Sequence, residues 1–316
     1  MKHLRHILHL SERAFALLLL LGTTLMLLPL PQFYLDLFRS FAFHWMLGCG
    51  LIALFAVVRT SRLWLGAGLA SFLTLFFYLS PHILPDPGTG GEQDGHFRIG
   101  QFNVNAYIDR HAAMAEQSCK LGADLLAFQE VSSHWLESLD SQLCEEYPYS
   151  YAHPSNHTSY GLAIYSRTPL CDIREITRDN VNSLSTKVVH QEREIEVIVT
   201  HTRSPVTRER YRDRNAHLSY WSHRLQDKKE EAVLFLGDTN AVPWDPGMKR
   251  LRQQAGLRDA RTHLADTFPS WAPVPGIPID HILYSEALER IHFERLSRTG
   301  SDHHGLVADF VLQEES

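Results

Sequence analysis

The sequence predicts an α/β domain carried behind an apolar helical segment, on two observations. Residues 1–85 hold three long runs almost free of charge, Phe15–Leu30, Phe41–Val58 and Leu63–Leu79. From residue 96 onward, short apolar runs with the pattern of buried strands alternate with stretches in which charged and apolar residues recur at helical spacing. The 316 residues suffice for one large domain or two ordinary ones.

The three runs are each roughly 16–18 residues, at the short end of what crosses a ~30 Å hydrocarbon core. A signal peptide would account for the first, with Lys2 and Arg5 ahead of it, but not for the second and third. None has the polar face of a surface helix in a soluble domain. Residues 1–85 therefore read as a membrane segment with three spans, about 15–30, 41–58 and 63–79. Lys2, Arg5 and Arg13 precede the first span, and Arg59 and Arg62 fill the loop between the second and third. The positive-inside rule puts these in the cytoplasm and residue 81 onward on the far side, periplasmic or extracellular. Arg39 is the one dissenting charge. Trp45 and Trp64 stand near span ends, where amphipathic rings collect. The spans contain no acidic residue, and His44 is the one ionisable group near them, which argues against a transporter.

Pro81 to Gly95, dense in Pro and Gly, marks the boundary, with a linker at 86–95 and a soluble domain at 96–316. Six basic and two acidic residues precede position 86, so the totals of 30 and 36 leave 24 basic and 34 acidic residues beyond it, a balance of −10. That suits a site gathering divalent cations better than unselective binding along a nucleic-acid backbone. Cys49 lies in the second span. Cys119, Cys144 and Cys171 permit one disulfide without demanding it, and no Cys-x-x-Cys or Cys/His metal spacing occurs.

Phe97–Asn105 alternates as a strand ending in two asparagines. Asp109 is the expected cap of a helix to about Leu121, before Gly122. Asp124–Phe128 is an apolar strand ending in Gln129-Glu130, and Ser132 or Ser133 caps a helix to about Cys144. Ser159–Arg167, Thr186–Val189 and Ile195–Thr200 are further strands, the last ending at His201. A helix over about Pro205–Lys228 leads to Ala232–Leu236, a strand apolar throughout that delivers Gly237-Asp238-Thr239-Asn240. A short helix (Gly247–Gln254), a Pro-rich loop (Pro269–Pro278) and the strand Ile279–Tyr284 follow. Ser301-Asp302-His303-His304-Gly305 then enters a last strand, Leu306–Leu312.

Polar residues thus recur at the carboxyl ends of apolar strands, where burial is costly unless they are paired or used. Glu130 and Asp302 offer carboxylate oxygens and Asn103 a carbonyl oxygen, a set suited to Mg²⁺ or Mn²⁺. Asp238 is placed to deprotonate a water and Asn240 to orient it. His303, with Asp280 behind it, would bond charge developing on phosphorus. Taken singly, Asn103 and Asn105 read as strand ends and Glu130 as a helix-entry acid. A structural role for His201 is as plausible as a catalytic one, His281 reads as packing, and Thr207–Arg214 reads as a solvated face from which Arg208, Arg210 or Arg212 could meet an anion.

The ordered set Asn103, Glu130, Gly161–Arg167, His201, Gly237-Asp238-Thr239-Asn240, Ile279-Asp280-His281 and Ser301-Asp302-His303 resembles the endonuclease/exonuclease/phosphatase superfamily, over about residues 96–313. The resemblance, to a membrane-anchored bacterial type in the inner membrane, implies a four-layer α/β sandwich of two packed mixed sheets. It implies a divalent-metal-dependent hydrolase of phosphodiesters, acting on a lipid or on nucleic acid. By motif, Glu130 is the main metal ligand with Asn103 and Asp302 beside it. Asp238 is the base, Asn240 its helper, His303 the phosphate-stabilising histidine oriented by Asp280, and His201 a phosphate contact. Tyr160, His157 and Asn105 are candidate substrate contacts, and His153 shares the loop of His157. Two departures from the family pattern are that His304-Gly305 follow the final Asp-His and that Tyr160 abuts Gly161 directly.

Overall fold

The structure is a computed structural model that describes residues 2–86, 95–143, 145–228, 231–298 and 300–313, with side chains from residue 9 onward. It forms two compact units, Met1–Leu84 with Trp244–Pro246, and Pro85–Pro243 with Gly247–Ser316.

The first unit is helical: α1 (Lys2–Leu27), α2 (Phe33–Ser40), α3 (Ala42–Val58) and α4 (Arg62–Ile83). Within them, His9–Leu27 and Arg62–Ile83 are long and apolar enough to cross a membrane, and α2 with α3 make a third candidate if that pair, bent by 61°, counts as one span. Leu17, Leu18, Leu51, Leu54 and Phe77 stand outward, more than half exposed, as on helices that meet an apolar solvent. The charge that stood out in the sequence is neutralised inside the unit. Arg39 is buried in an ion pair with Asp36, and its guanidinium donates to the carbonyls of Met26 (3.0 Å from Nε) and Leu28. A buried pair satisfied in this way is what an apolar environment tolerates.

The second unit holds twelve strands in two sheets among the described residues. They are β1 (Phe97–Asn103), β2 (Leu125–Gln129), β3 (Tyr149–His153), β4 (Leu162–Ser166), β5 (Cys171–Arg178), β6 (Val181–His190), β7 (Arg193–His201), β8 (Ala232–Asp238), β9 (Arg258–Asp259), β10 (Asp280–Tyr284), β11 (Leu288–Arg295) and β12 (Leu306–Leu312). One sheet runs β11-β12-β1-β2-β4-β3 and the other β5-β6-β7-β8-β10-β9. Each is antiparallel except for one central parallel pair, β1 with β2 and β7 with β8.

Ile99, Leu125, Ala127, Leu162 and Ile164 of the first sheet pack face to face with Val197, Val199, Leu234, Leu236 and Ile282 of the second. The outer faces are covered by helices. On the first sheet, α5 (His111–Lys120) and α6 (Ser133–Leu143) lay Met114, Trp135 and Leu139 over Phe102, Leu126 and Phe128. On the second, α7 (Arg208–Leu225) and α8 (Pro246–Ala255) lay Leu218, Trp221, Met248 and Leu251 over Ile198, Val233 and Phe235. With both faces buried, β2, β4 and β8 read as unbroken apolar runs. The result is the four-layer α/β sandwich.

Several local expectations are corrected. Asp109 does not cap α5, whose N-cap is Arg110 without a side-chain bond. Ser132 does cap α6, accepting from the Trp135 amide at 3.2 Å, and Thr207 caps α7 in the same way. Strands β3, β5, β9 and β11 are absent from the sequence reading. Cys49, Cys119 and Cys171 are free. Cys144 and residues 87–94 of the expected linker lie outside the described residues.

Candidate active site

The two parallel pairs deliver their carboxyl ends to one edge of the sandwich. Asn103 lies opposite Gln129 in register, so the chain leaves β1 and β2 side by side. His201 lies opposite Asp238, and antiparallel β10 sets Asp280 opposite Asp238 from the other side. Backbones come unusually close here. A Cβ on Gly237, whose φ is +131°, would lie 1.9 Å from the Thr200 carbonyl oxygen, and one on Gly161 would lie 1.8 Å from that of Val131. Only glycine permits either approach. Three residues just past strand ends are left-handed: Asn105 (φ +57°), Glu130 (+64°) and Asn240 (+48°). Asparagine accepts this readily, whereas for glutamate it costs about 1 kcal/mol or more, strain that folds retain mainly where it aims a side chain.

Hydrogen bonds knit these ends together. The Asn103 carboxamide nitrogen donates to Glu130 Oε1 and to Asp238 Oδ2, both at 3.1 Å, and so bridges the two sheets. Its oxygen accepts from the Asn105 amide. Glu130 Oε2 accepts from the Ala106 amide at 3.1 Å, and Asp302 Oδ1 accepts from Asn105 Nδ2 at 2.8 Å. Asp238 Oδ1 accepts from the Asn240 amide at 2.8 Å, while Asn240 Nδ2 donates to the Thr202 carbonyl. His303 Nδ1 lies 2.8 Å from Asp280 Oδ2, and the other oxygen of Asp280 accepts from Gln101 Nε2. With Nδ1–H spent on Asp280, His303 turns Nε2 toward Asp238, 3.9 Å from Oδ2. His201 donates from Nδ1 to the Ser159 carbonyl (2.9 Å), leaving Nε2 at 3.5 Å from Asp238 and 3.9 Å from Glu130.

Asp238, Asp280 and His303 are buried, and burial together with their mutual charges sets their protonation. Burial, and then the negative charge of Asp280, lift the Asp238 carboxyl to about 6. Burial opposes the charged form of His303, but the adjacent Asp280 carboxylate outweighs it and raises the imidazole to about 10. Asp280, also buried, is held down at about 2 by the same cation. At neutral pH the edge therefore presents an imidazolium beside a carboxylate whose basicity has been raised.

These groups open into a cleft of ≈ 220 Å³, whose lining includes Glu130, Tyr160, His201, Asp238, Asn240, Asp302 and His303. Of the candidate residues, His157 is not brought there; it is exposed on its loop. His153 is turned away to Glu175 (3.2 Å) and Asn182 (3.3 Å). Asn105 is not among the residues lining the cleft, and its side-chain amide holds Asp302. Asn103 meets both carboxylates with its nitrogen, whereas the sequence reading gave it a metal-facing oxygen. Tyr160 is present, its ring 5.1 Å from that of His201. Of the three candidate arginines, only Arg210 lines the cleft. His281 packs, as read, bonding the Ala241 carbonyl at 2.8 Å. Sequence reading missed Ser159, Ser204 and Phe268 (its ring 4.9 Å from that of His303). They carry no titratable group and lie outside the strand-end pattern.

The donor set fits a hard divalent cation. Three carboxylates, from Glu130, Asp238 and Asp302, face the cleft with a single arginine. Asp238, Asp280 and His303 also form one of two clusters with metal-binding spacing among the described residues.

The sequence matches the Endonuclease/Exonuclease/phosphatase family over residues 100–303, and the chain belongs to that family. Its members are generally hydrolases of phosphoester bonds. No curated protein matches the sequence. Among solved structures, humanised D. rerio TDP2 superposes with a TM-score of 0.59 at 18% identity, covering 69% of this chain and 100% of its own. The human Nocturnin catalytic domain with bound sulfate gives 0.60 at 21%, over 71% and 97%. An endonuclease/exonuclease/phosphatase from Beutenbergia cavernae DSM 12333 gives 0.56 at 17%, over 69% and 72%. At these identities the likeness shows the fold.

Proposed function

We propose that the protein is a membrane-anchored, divalent-metal-dependent phosphodiesterase of the bacterial inner membrane, acting outside the cytoplasm on a phospholipid or other small phosphodiester. The observation that carries this reading is the buried series Asp280, His303, Asp238, of which the last two line an acidic cleft. Mg²⁺ or Mn²⁺, held by Glu130 and Asp302 with Asn103 beside them, would neutralise charge on the phosphate and its leaving oxygen.

The remaining steps fall to the chain. Asp238, steadied by the Asn240 amide, takes a proton from the attacking water as its oxygen bonds to phosphorus. The Nε2–H of cationic His303, free because Asp280 engages Nδ1, bonds the non-bridging oxygen on which charge accumulates. His201, beside Asp238, and Arg210 would orient the phosphate. The bridging P–O bond breaks, the departing alkoxide takes a proton from solvent to leave as the alcohol, and Asp238 returns its own proton to solvent.

A nuclease reading on the same chemistry is favoured by Arg210 in the cleft and by the structure of D. rerio TDP2 complexed with single strand DNA product. The −10 balance of the soluble part opposes it. A non-catalytic binding module on this fold would have no use for a buried base and imidazolium.

The test is turnover of bis-p-nitrophenyl phosphate, sphingomyelin and plasmid DNA by the detergent-solubilised full chain, with Mg²⁺ and then EDTA. Metal-dependent cleavage of the first two is expected, reduced by about 10²–10⁴ in Asp238→Ala. Preference for DNA would replace the lipid reading with the nuclease one, and silence on all three by folded protein would leave the binding module. A C-terminal alkaline phosphatase fusion should be active; an inactive one, with a bright fluorescent-protein fusion, would overturn the three-span topology.

A further inference from the structure

A second cleft, of ≈ 640 Å³, lies where α5 and α6 begin, and it shares no lining residue with the first. Asp109, Arg110, His111, His134, Glu137 and Ser138 line it. Here is the other metal-spaced cluster: one ligand atom each from Asp109, His111 and His134 falls within 4.8 Å of the other two. His111 Nδ1 is 3.5 Å from Asp109 Oδ1. Two donors bound to one tetrahedral ion at about 2.1 Å stand ~3.4 Å apart, so this pair already has ligand spacing. The rings of His111 and His134 meet at 81° with centroids 4.5 Å apart.

Ordinary structural duties do not account for the cluster. Asp109 would be expected to cap α5, but the cap is Arg110, and the Asp109 side chain is 95% exposed. His134 is exposed, one turn ahead of Glu137 on the same face of α6. His111, by contrast, is fixed. Its ring packs at 75° and 4.0 Å against Trp135, whose indole N–H donates to the Asn105 carbonyl at 3.2 Å. One oriented imidazole beside two mobile ligands is a site that a metal can close by rotating exposed side chains.

We propose that Asp109, His111 and His134 bind one divalent transition-metal ion of the Zn²⁺ class, with water or Glu137 completing its shell. Two imidazoles and a carboxylate suit Zn²⁺, Co²⁺, Ni²⁺ or Cu²⁺, whereas the all-oxygen acids of the catalytic cleft suit Mg²⁺ or Mn²⁺. The ion would tie the start of α5 to the start of α6. Between β1 and α5 lies the segment that supplies Asn105 to Asp302 and the Ala106 amide to Glu130. Filling the site would therefore stiffen one wall of the catalytic cleft.

The test is calorimetric titration of the full chain, made without a histidine tag and kept in excess Mg²⁺, with ZnCl₂ alone as the probe. One Zn²⁺ should bind despite the Mg²⁺, and His134→Asn and Asp109→Asn, both exposed changes, should each weaken it at least about tenfold. Glu130→Gln should leave it intact. Zn²⁺ binding unchanged in His134→Asn would overturn the proposal. So would binding abolished by Glu130→Gln, which would assign the ion to the catalytic cleft.

Discussion

The two sheets are built alike and used differently. Each has one parallel pair at its centre, and each ends that pair at the same edge. From the first sheet come Asn103 and Glu130, the latter's side chain 15% exposed and steadied by amide donors. From the second come His201, Asp238 and Asp280, all buried, with two carboxyls moved in opposite directions. Burial is the difference. A carboxylate meant for a cation must stay reachable and ionised, whereas one meant to move a proton gains from a dry setting that raises its basicity. On this side a buried ionisable group also lies behind the site, on the covering helix α7. His217 Nε2 accepts from the Trp221 indole at 3.0 Å and lies within 3.1 Å of the Ser183 and Thr200 hydroxyls, so it is neutral, and burial depresses it to about 4.

The contrast breaks most sharply at Asp280. Asp280→Asn should lower kcat by about 10²–10³, because the His303 cation loses its support. The basic limb of the kcat–pH profile should also move down, since His303 then loses its proton at lower pH. A limb that stays put would remove Asp280 from this role. Next comes His217. Its folded pKa lies below its unfolded one, so its contribution to stability is complete above pH 6.5 and lost as pH falls toward about 4. The full loss is on the order of 3 kcal/mol. The stability gap between the wild type and His217→Gln, from urea unfolding, should therefore narrow from pH 7 to pH 4. Comparing the two proteins cancels the opposite drift of Asp238. The smallest effect belongs to the first sheet. Glu130→Gln should raise the Mg²⁺ needed for half-maximal activity by about 10–100-fold while leaving the pH profile in place. A changed profile would erase the division of labour between the sheets.

Much of this was legible in the sequence because strands buried on both faces announce themselves and their polar ends stand out. Asn103, Glu130, His201, Asp238 and His303 follow from that pattern, whereas Asp280, the first residue of β10, came with the Ile279-Asp280-His281 motif. What escaped did so for physical reasons. β5 is exposed along nearly all its length and carries charge without alternation. In β11 a register shift between Arg290 and His292 breaks the period of two. Asn105 looks like a ligand by type, and only the fold shows its amide committed to Asp302. The expected second span, 41–58, is the 17-residue helix α3, and the short α2 that joins it at 61° is not announced by apolar composition.

The Asn103 carboxamide has one more consequence. Rooted in the first sheet, it grips the proposed base of the second, so the spacing between the sheets is written into the position of Asp238. Anything that lets the sandwich breathe by a few tenths of an ångström reaches the chemistry before it reaches the melting curve. Trimming Ile99 or Leu236, deep between the sheets, should cost turnover at temperatures where the protein is still fully folded. On the proposed mechanism, the core of this protein is the spacer that would tune its reaction.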